Sequence, residues 1–298
     1  NWKHWIARKE KQNPMTNSKG TLYLCATPIG NLEDMTFRAV RILKEVDVIA
    51  AEDTRNSVKL LNHFDIHTPM TSYHEFNKID KGQYLVKRLL EGENIALITD
   101  AGMPGISDPG EELVRMCRDA GVPVTAVPGA CACVTALVIS GRPTRRFCFE
   151  AFLPTDKKER RTVLEELKTE TRTSIIYEAP HRLVKTLQEL LNELGDRNIT
   201  VCKELTKKHE TGFETTLKEA VPYYEQNEPR GEYVLVLEGC SRQQMEQEAQ
   251  DAWKEMSLGD HMKLYEEQGM NRKDAMKQVA KDRGVGKREI YQALLEEE

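Results

Sequence analysis

Between residues 20 and 240 one pattern repeats along this chain: a short, wholly apolar run, a turn, then apolar residues at helical spacing. "TLYLCA", "DVIAAED", "NIALITD" and "VPVTAVPG" are too uniformly apolar for half-exposed strands, which alternate polar and apolar side chains. Strands buried on both faces belong to parallel sheets covered by helices on either side. The helices come from "MTFRAVRILKEV", "TRNSVKLLNHF", "GQYLVKRLLEG" and "EELVRMCRDAG", and "MTSYHE" reads as a further short strand. A second, similar unit follows, with strands "RFCFEAFL", "TSIIYEA", "NITVCKEL" and "EYVLVLEG" and helices such as "HRLVKTLQELLNELG" and "LKEAVPYYEQN". The small-residue segment "PGACACVTALVISGRP" joins the two.

The strand pattern stops after Gly239, and three short helical patterns close the chain. The expected organisation is an upstream extension or expression remnant (1–19), an N-terminal α/β domain (20–130) and a C-terminal α/β domain (131–240). The second domain opens on a joint helix at 131–141, and a linker (241–256) leads to a helical tail (257–298). Two parallel- or mixed-sheet α/β domains with a helix-turn-helix-like tail is thus the fold class.

Composition narrows the function. No apolar run approaches the length needed to span a bilayer, and residues 1–20 lack the apolar centre of a signal peptide. Seven cysteines without a CxxC pair read as reduced thiols of a cytoplasmic protein, with no metal site. A net charge of −5 excludes a uniformly basic surface, yet residues 142–161 hold seven Lys/Arg against three acids, and residues 270–292 the same. Two basic islands on an acidic chain favour a polyanionic partner over ordinary solvated faces.

The carboxyl ends of strands in an open parallel sheet are where ligands bind. Here they are followed by "ATPIGNLED", "AEDTR", "SYHEFN", "TDAGMPGISDPG" and "VPGA". Neither GxGxxG nor GxxxxGK[ST] occurs, so dinucleotides and nucleoside triphosphates lack their usual cradle. The loop from Thr99 to Gly110 is much longer than the two to six residues a connection needs. Glycine-rich and poor in basic residues, it suits an uncharged or zwitterionic ligand.

The ordered set "TPIGNLEDMTFRAV", "AAEDTR", "ITDAGMPGISDPG", "VPGACACVTAL", "RFCFEAFLP", "YEAPHRL", "KELTKKHET" and "GEYVLVLEG" resembles the ribosomal RNA small subunit methyltransferase I family, within the tetrapyrrole methylase fold. The resemblance implies a homodimer that uses S-adenosylmethionine to methylate the ribose 2′-oxygen of a cytidine in the decoding region of 16S rRNA. Carried over by position, it implies cofactor contacts from Pro28 and Gly30 in the first loop. Asp100, Ala101, Gly102, Met103 and Ile106 follow in the long loop, with Cys131 and Ala132 at the joint helix, and Tyr177 and Leu205 in the second domain. Met103 stands where the family is expected to carry Thr. Phe76 and Lys78 replace more polar residues around His74 and Asn77.

Methyl transfer to a ribose hydroxyl needs a positioned base. Glu52, Asp53, Arg55, His74 and Asn77 are the acceptor-side candidates, Arg55 for a phosphate and Asn77 for the sugar or a base edge. Against these roles stand helix capping for Glu52 and Asp53 and a structural histidine at His74. Glu178, Arg182, Lys203 and Glu204 belong either to the same cleft or to an interdomain salt-bridge set. In the tail, Arg272, Lys273, Lys287 and Arg288 are candidate RNA contacts, with a docked helical hairpin as the alternative. Competing functions are a precorrin C-methyltransferase or diphthine synthase relative of the same fold, and a non-catalytic RNA-binding factor.

Overall fold

The computed structural model describes residues 18–297, so all but the last two residues of the expected upstream extension lie outside the described region. The first sheet contains β1 (Leu22–Cys25), β2 (Val48–Ala51), β3 (Met70–Ser72), β4 (Ile95–Ile98) and β5 (Val124–Val127), in the order β3-β2-β4-β1-β5. All its pairings are parallel. Every residue of β2 and β4 is buried, as the uniformly apolar runs require. Helices α1 (Phe37–Glu45) and α2 (Thr54–His63) cover one face through Ala39, Ile42, Leu43 and Leu61. On the other face lie α3 (Lys78–Leu90) and α4 (Gly110–Asp119), through Leu85, Leu89, Leu113 and Cys117.

The joint helix α5 (Ala132–Ile139) leads into a second sheet made of β6 (Phe147–Phe152), β7 (Thr173–Glu178), β8 (Asn198–Lys203), β9 (Thr211–Thr216) and β10 (Tyr233–Leu237). Its order is β6-β7-β10-β8-β9, and only β6 and β7 run parallel. The second unit is therefore no copy of the first. Strand β9, "TGFETT", escapes a reading of apolar runs because it is a largely polar edge strand paired on β8 alone. Helices α6 (Lys157–Thr169), α7 (Pro180–Leu194) and α8 (Leu217–Gln226) pack on one face of this sheet. The other face meets α5 and Ile29.

Strand β6 carries a bulge: Phe149 pairs with Ile175, but Ala151 pairs with Ile176 and Phe152 with Tyr177. The extra residue lets Phe149 and Phe152 share a face despite their three-residue separation, and both rings stand edge-on to Tyr177. Ala151 sits at φ +53°, which costs a residue with a Cβ on the order of 1–3 kcal/mol.

Residues 241–256, expected as a linker, contain instead the helix α9 (Arg242–Lys254). Its run of Gln and Glu masks a helical period because its partner is local. Trp253 stacks on His261 at 4.1 Å, and Gln250 covers Gly284 so closely that a Cβ there would lie 2.3 Å from its amide carbon. The tail continues with α10 (Leu258–Glu267), α11 (Arg272–Asp282) and α12 (Lys287–Glu297) around Leu258, Met262, Ala275, Val279, Ala280 and Ile290. Tyr291, next to the buried Ile290, is exposed, although the spacing of Ile290, Tyr291 and Leu294 reads as one apolar face. Gly284, at φ +66°, makes the turn between α11 and α12.

Candidate active site

A cleft of about 420 Å³ lies beyond the carboxyl ends of β1, β2 and β4, with β7 and the start of β10 as its opposite wall. That volume falls in the range of small-molecule sites. Its floor is the long loop after β4, and the loop is clamped from within. The Asp108 carboxylate accepts from the backbone N–H of Gly105 at 2.9 Å and of Gly110 at 2.7 Å, while Tyr73 Oη donates to the Pro109 carbonyl. Asp108 was not among the expected site residues, although an aspartate two residues before a glycine is a turn signal.

Asp100, Ala101, Gly102, Met103, Ile106, Cys131, Ala132, Tyr177 and Leu205 all line the cleft. Pro28 and Gly30 do not; between them Ile29 reaches in, and Gly30 lies beneath the Lys207 stem. Gly102 is at φ +84°, and both its backbone groups are bonded to Thr27, N–H to carbonyl in each direction at 3.1 and 2.9 Å. Its glycine character thus serves the joining of two loops as well as closeness to the cleft. A Cβ at Gly102 would lie 3.2 Å from the Ile29 side chain.

Among the expected acceptor-side residues, Glu52 lines the cleft, where Thr99 Oγ1 donates to its Oε2 at 2.8 Å. Asp53 instead caps α2, accepting from the Arg55 N–H at 2.8 Å and from the Arg55 guanidinium at 2.9 Å. Those bonds hold its carboxyl at about 2, too acidic for a base near neutrality. Arg55 is otherwise exposed. Asp100 ties this corner together, accepting from the Asp53 N–H and the Asn56 amide, both at 3.2 Å. His74 and Asn77 lie outside the cleft lining and bind each other in the turn after β3: Asn77 Oδ1 accepts from the His74 N–H at 2.8 Å.

The opposite wall is built around Glu178, whose side chain is fully buried. Its carboxylate accepts from the Ala179 N–H at 2.8 Å, Arg182 Nε at 2.9 Å and Thr186 Oγ1 at 2.6 Å. Saturated in this way, it is a structural anchor for Arg182. Lys203 lies at the end of β8, outside the cleft lining. Glu204 instead joins an ion-pair cluster with Lys207 and Glu232, at 2.9 Å each from the lysine. At the start of α5, Cys131 Sγ and Cys133 Sγ lie 3.4 Å apart, and the Cys133 N–H donates to Tyr177 Oη at 3.0 Å. The cleft thus places the Glu52 carboxylate, which accepts one side-chain hydrogen bond from Thr99, beside a loop shaped for a compact ligand.

An all-parallel sheet and a mixed sheet meet at this cleft, and the match of the chain to a family model places that architecture in a methylase class. The family model described as Tetrapyrrole (Corrin/Porphyrin) Methylases matches residues 21–221. Solved structures show the same fold. Diphthine synthase aligns with a TM-score of 0.57 at 11% identity over 73% of this chain and 89% of that one. A Thermus thermophilus uroporphyrin-III C-methyltransferase, complexed with S-adenosyl homocysteine, aligns at 0.52 and 21% identity over 74% of this chain and 97% of that one. Within the class, the chain belongs to the ribosomal RNA small subunit methyltransferase I family. The member from Halalkalibacterium halodurans is 52% identical over 92% of this chain and 94% of its own length. Those of Bacillus subtilis and Escherichia coli O157:H7 are 47% and 42% identical, over 92% and 95% of this chain and 94% and 97% of theirs.

Proposed function

We propose that this protein transfers a methyl group from S-adenosylmethionine to the ribose 2′-hydroxyl of a cytidine in the decoding region of 16S rRNA. The observation that carries the reading is the near full-length identity to relatives named for methylating small-subunit rRNA, in a chain whose cleft retains a cofactor-sized floor. S-adenosylmethionine supplies the methyl group as an electrophilic sulfonium. The residues fit such a ligand: Gly102 keeps the Ile29 side chain free at the floor, and the lining mixes apolar Met103, Ile106 and Leu205 with Asp100. Ala101, Cys131, Ala132 and Tyr177 complete the contacts, with Pro28 and Gly30 acting through the position of Ile29.

Glu52 is the proton acceptor for the hydroxyl in this reading, oriented by Thr99. Asp53 and Arg55 fix the loop that carries it, while His74 and Asn77 shape the neighbouring turn. Arg272, Lys273, Lys287 and Arg288, all exposed, contact rRNA phosphates, and two copies of the chain act together in the cytoplasm on rRNA or the assembled subunit. Among the described residues no helix is long and apolar enough to cross a membrane. The test is equilibrium binding of S-adenosylmethionine together with mapping of 2′-O-methylation on 16S rRNA from cells with and without the gene. Cofactor binding plus loss of one cytidine methylation supports the reading; an unchanged methylation map overturns it, and absent cofactor binding points to a non-catalytic RNA-binding factor.

A further inference from the structure

Phe152 is 47% exposed although it lines the cleft and ends a strand of the second sheet. The bulge at Ala151 turns it onto this face; regular alternation from Phe149 would point it to the other. The Arg182 guanidinium lies 5.6 Å from the ring centroid, held there by the buried Glu178 carboxylate. Five residues further on, α6 opens with Lys157 and Lys158, both exposed and, among the described residues, without a side-chain partner. A half-exposed aromatic ring, a guanidinium over it and two uncommitted cations five and six residues further along the chain match an unpaired nucleotide of a single strand: a base to stack and phosphates on either side.

We propose that Phe152 is the stacking platform for the acceptor strand's unpaired base, with Arg182, Lys157 and Lys158 receiving its phosphates. This subsite rests on the methyl-transfer reading above and assigns the second-domain wall to RNA, leaving the loop after β4 to the cofactor. It also gives the basic island at 142–161 a function for part of its charge. Arg160 is committed inward to Glu189 and Thr186, whereas the two lysines face out.

The experiment uses the full chain with small ribosomal subunits or 16S rRNA as acceptor. Phe152→Ala and Phe152→Leu remove the aromatic face, the second keeping an apolar side chain; Phe152→Trp preserves the face. Expected are S-adenosylmethionine affinity within about twofold of the parent, and kcat/KM for RNA lowered roughly five- to 150-fold in Ala and Leu but not in Trp. Lys157→Ala with Lys158→Ala should flatten the dependence of log affinity on log salt by about 0.7 per lost phosphate contact. Loss of cofactor affinity in Phe152→Ala would give the ring to the cofactor, and full RNA methylation by Phe152→Ala and Phe152→Leu would leave it structural; either result overturns the subsite alone. A parent protein that binds S-adenosylmethionine yet methylates no small-subunit rRNA overturns the parent reading, and the subsite with it.

Discussion

Glu52 and Glu178 are carboxylates on opposite walls of one cleft, and their hydrogen bonds separate their roles. Glu178 accepts from three donors and is committed; Glu52 accepts from Thr99 and keeps lone pairs for a substrate. Glu52→Gln should therefore lower kcat by about 10²–10⁴ while leaving S-adenosylmethionine affinity intact, measured by single-turnover transfer and calorimetry. Equal loss of cofactor binding would move Glu52 to the cofactor side. Cys131 offers a second measurement. The hydrogen bond with the Cys133 thiol, with further help from backbone N–H groups at the start of α5, holds its pKa below that of an ordinary thiol. The same bond, with burial, pushes Cys133 upward. Iodoacetamide should modify Cys131 first, at a rate that levels off at lower pH than for an ordinary thiol, and Cys133→Ala should move that plateau to higher pH. A rate that keeps rising about tenfold per pH unit up to pH 8, as for an ordinary thiol, would show that the thiol pair does not polarise Cys131. Sequence displayed the "CAC" motif, but the donor–acceptor relation needed the helix terminus that brings the sulfurs together.

Among the elements, the tail shows best how local polarity misleads. Residues 241–256 look like a linker, yet α9 packs Trp253 on His261, whose ring is buried between that indole and Arg283. Burial, then the Arg283 charge, lowers the His261 pKa below its ordinary 6.5, with Asp282 at 3.4 Å opposing the shift. A histidine held neutral stabilises the fold fully above its unfolded pKa, and the contribution fades as pH falls below about 6.5. Protonation also destroys the bond in which His261 Nδ1 accepts from Arg283 Nε at 3.2 Å. Acidification from pH 7.5 to 5 should thus lower amide protection factors, with the intrinsic pH dependence of exchange divided out, in α10 and α11 before the two α/β domains respond. His261→Gln should reduce that pH dependence, and protection factors unaltered by acid would refute it.

For the whole molecule, α5 poses the question of what covers it. Its sequence "ACVTALVI" is apolar all round, and a helix of that kind belongs in an interior. Ala136 and Leu137 are buried against the second sheet, but Val138 is 68% exposed, with Val134 and Ile139 beside it. A second copy of the chain is the expected cover, so Val138→Glu should convert a dimer to a monomer in light scattering after gel filtration. A parent protein already monomeric at micromolar concentration would exclude this interface. The tail's Arg272, Lys273, Lys287 and Arg288 are exposed, whereas Arg283 turns inward to His261 and the Met256 and Ser257 carbonyls. Replacing Lys273, Lys287 and Arg288 by Glu should weaken RNA binding with a shallower salt dependence and leave cofactor affinity unchanged. Equal RNA affinity at every salt concentration would reduce the tail to a structural role.

The sequence by itself determined the alternation of strand and helix, the fully buried parallel strands β2 and β4 (though not the edge strand β5, where Val127 alone is buried), the long loop after β4 and the apolar faces of α11 and α12. Each is a local consequence of side-chain period and turn chemistry, which act over a few neighbouring residues. Only the tertiary structure decided the antiparallel pairing of β8 to β10, the edge strand β9, and the helix at 242–254, because each depends on a partner distant in sequence or too polar to announce itself. The site divides along the same line. Its loop residues were legible as glycine and small-residue motifs, whereas the release of Glu52, the commitment of Asp53 to Arg55 and the turning of Phe152 into the cleft arise from hydrogen bonds and a bulge that exist only once the strands are paired.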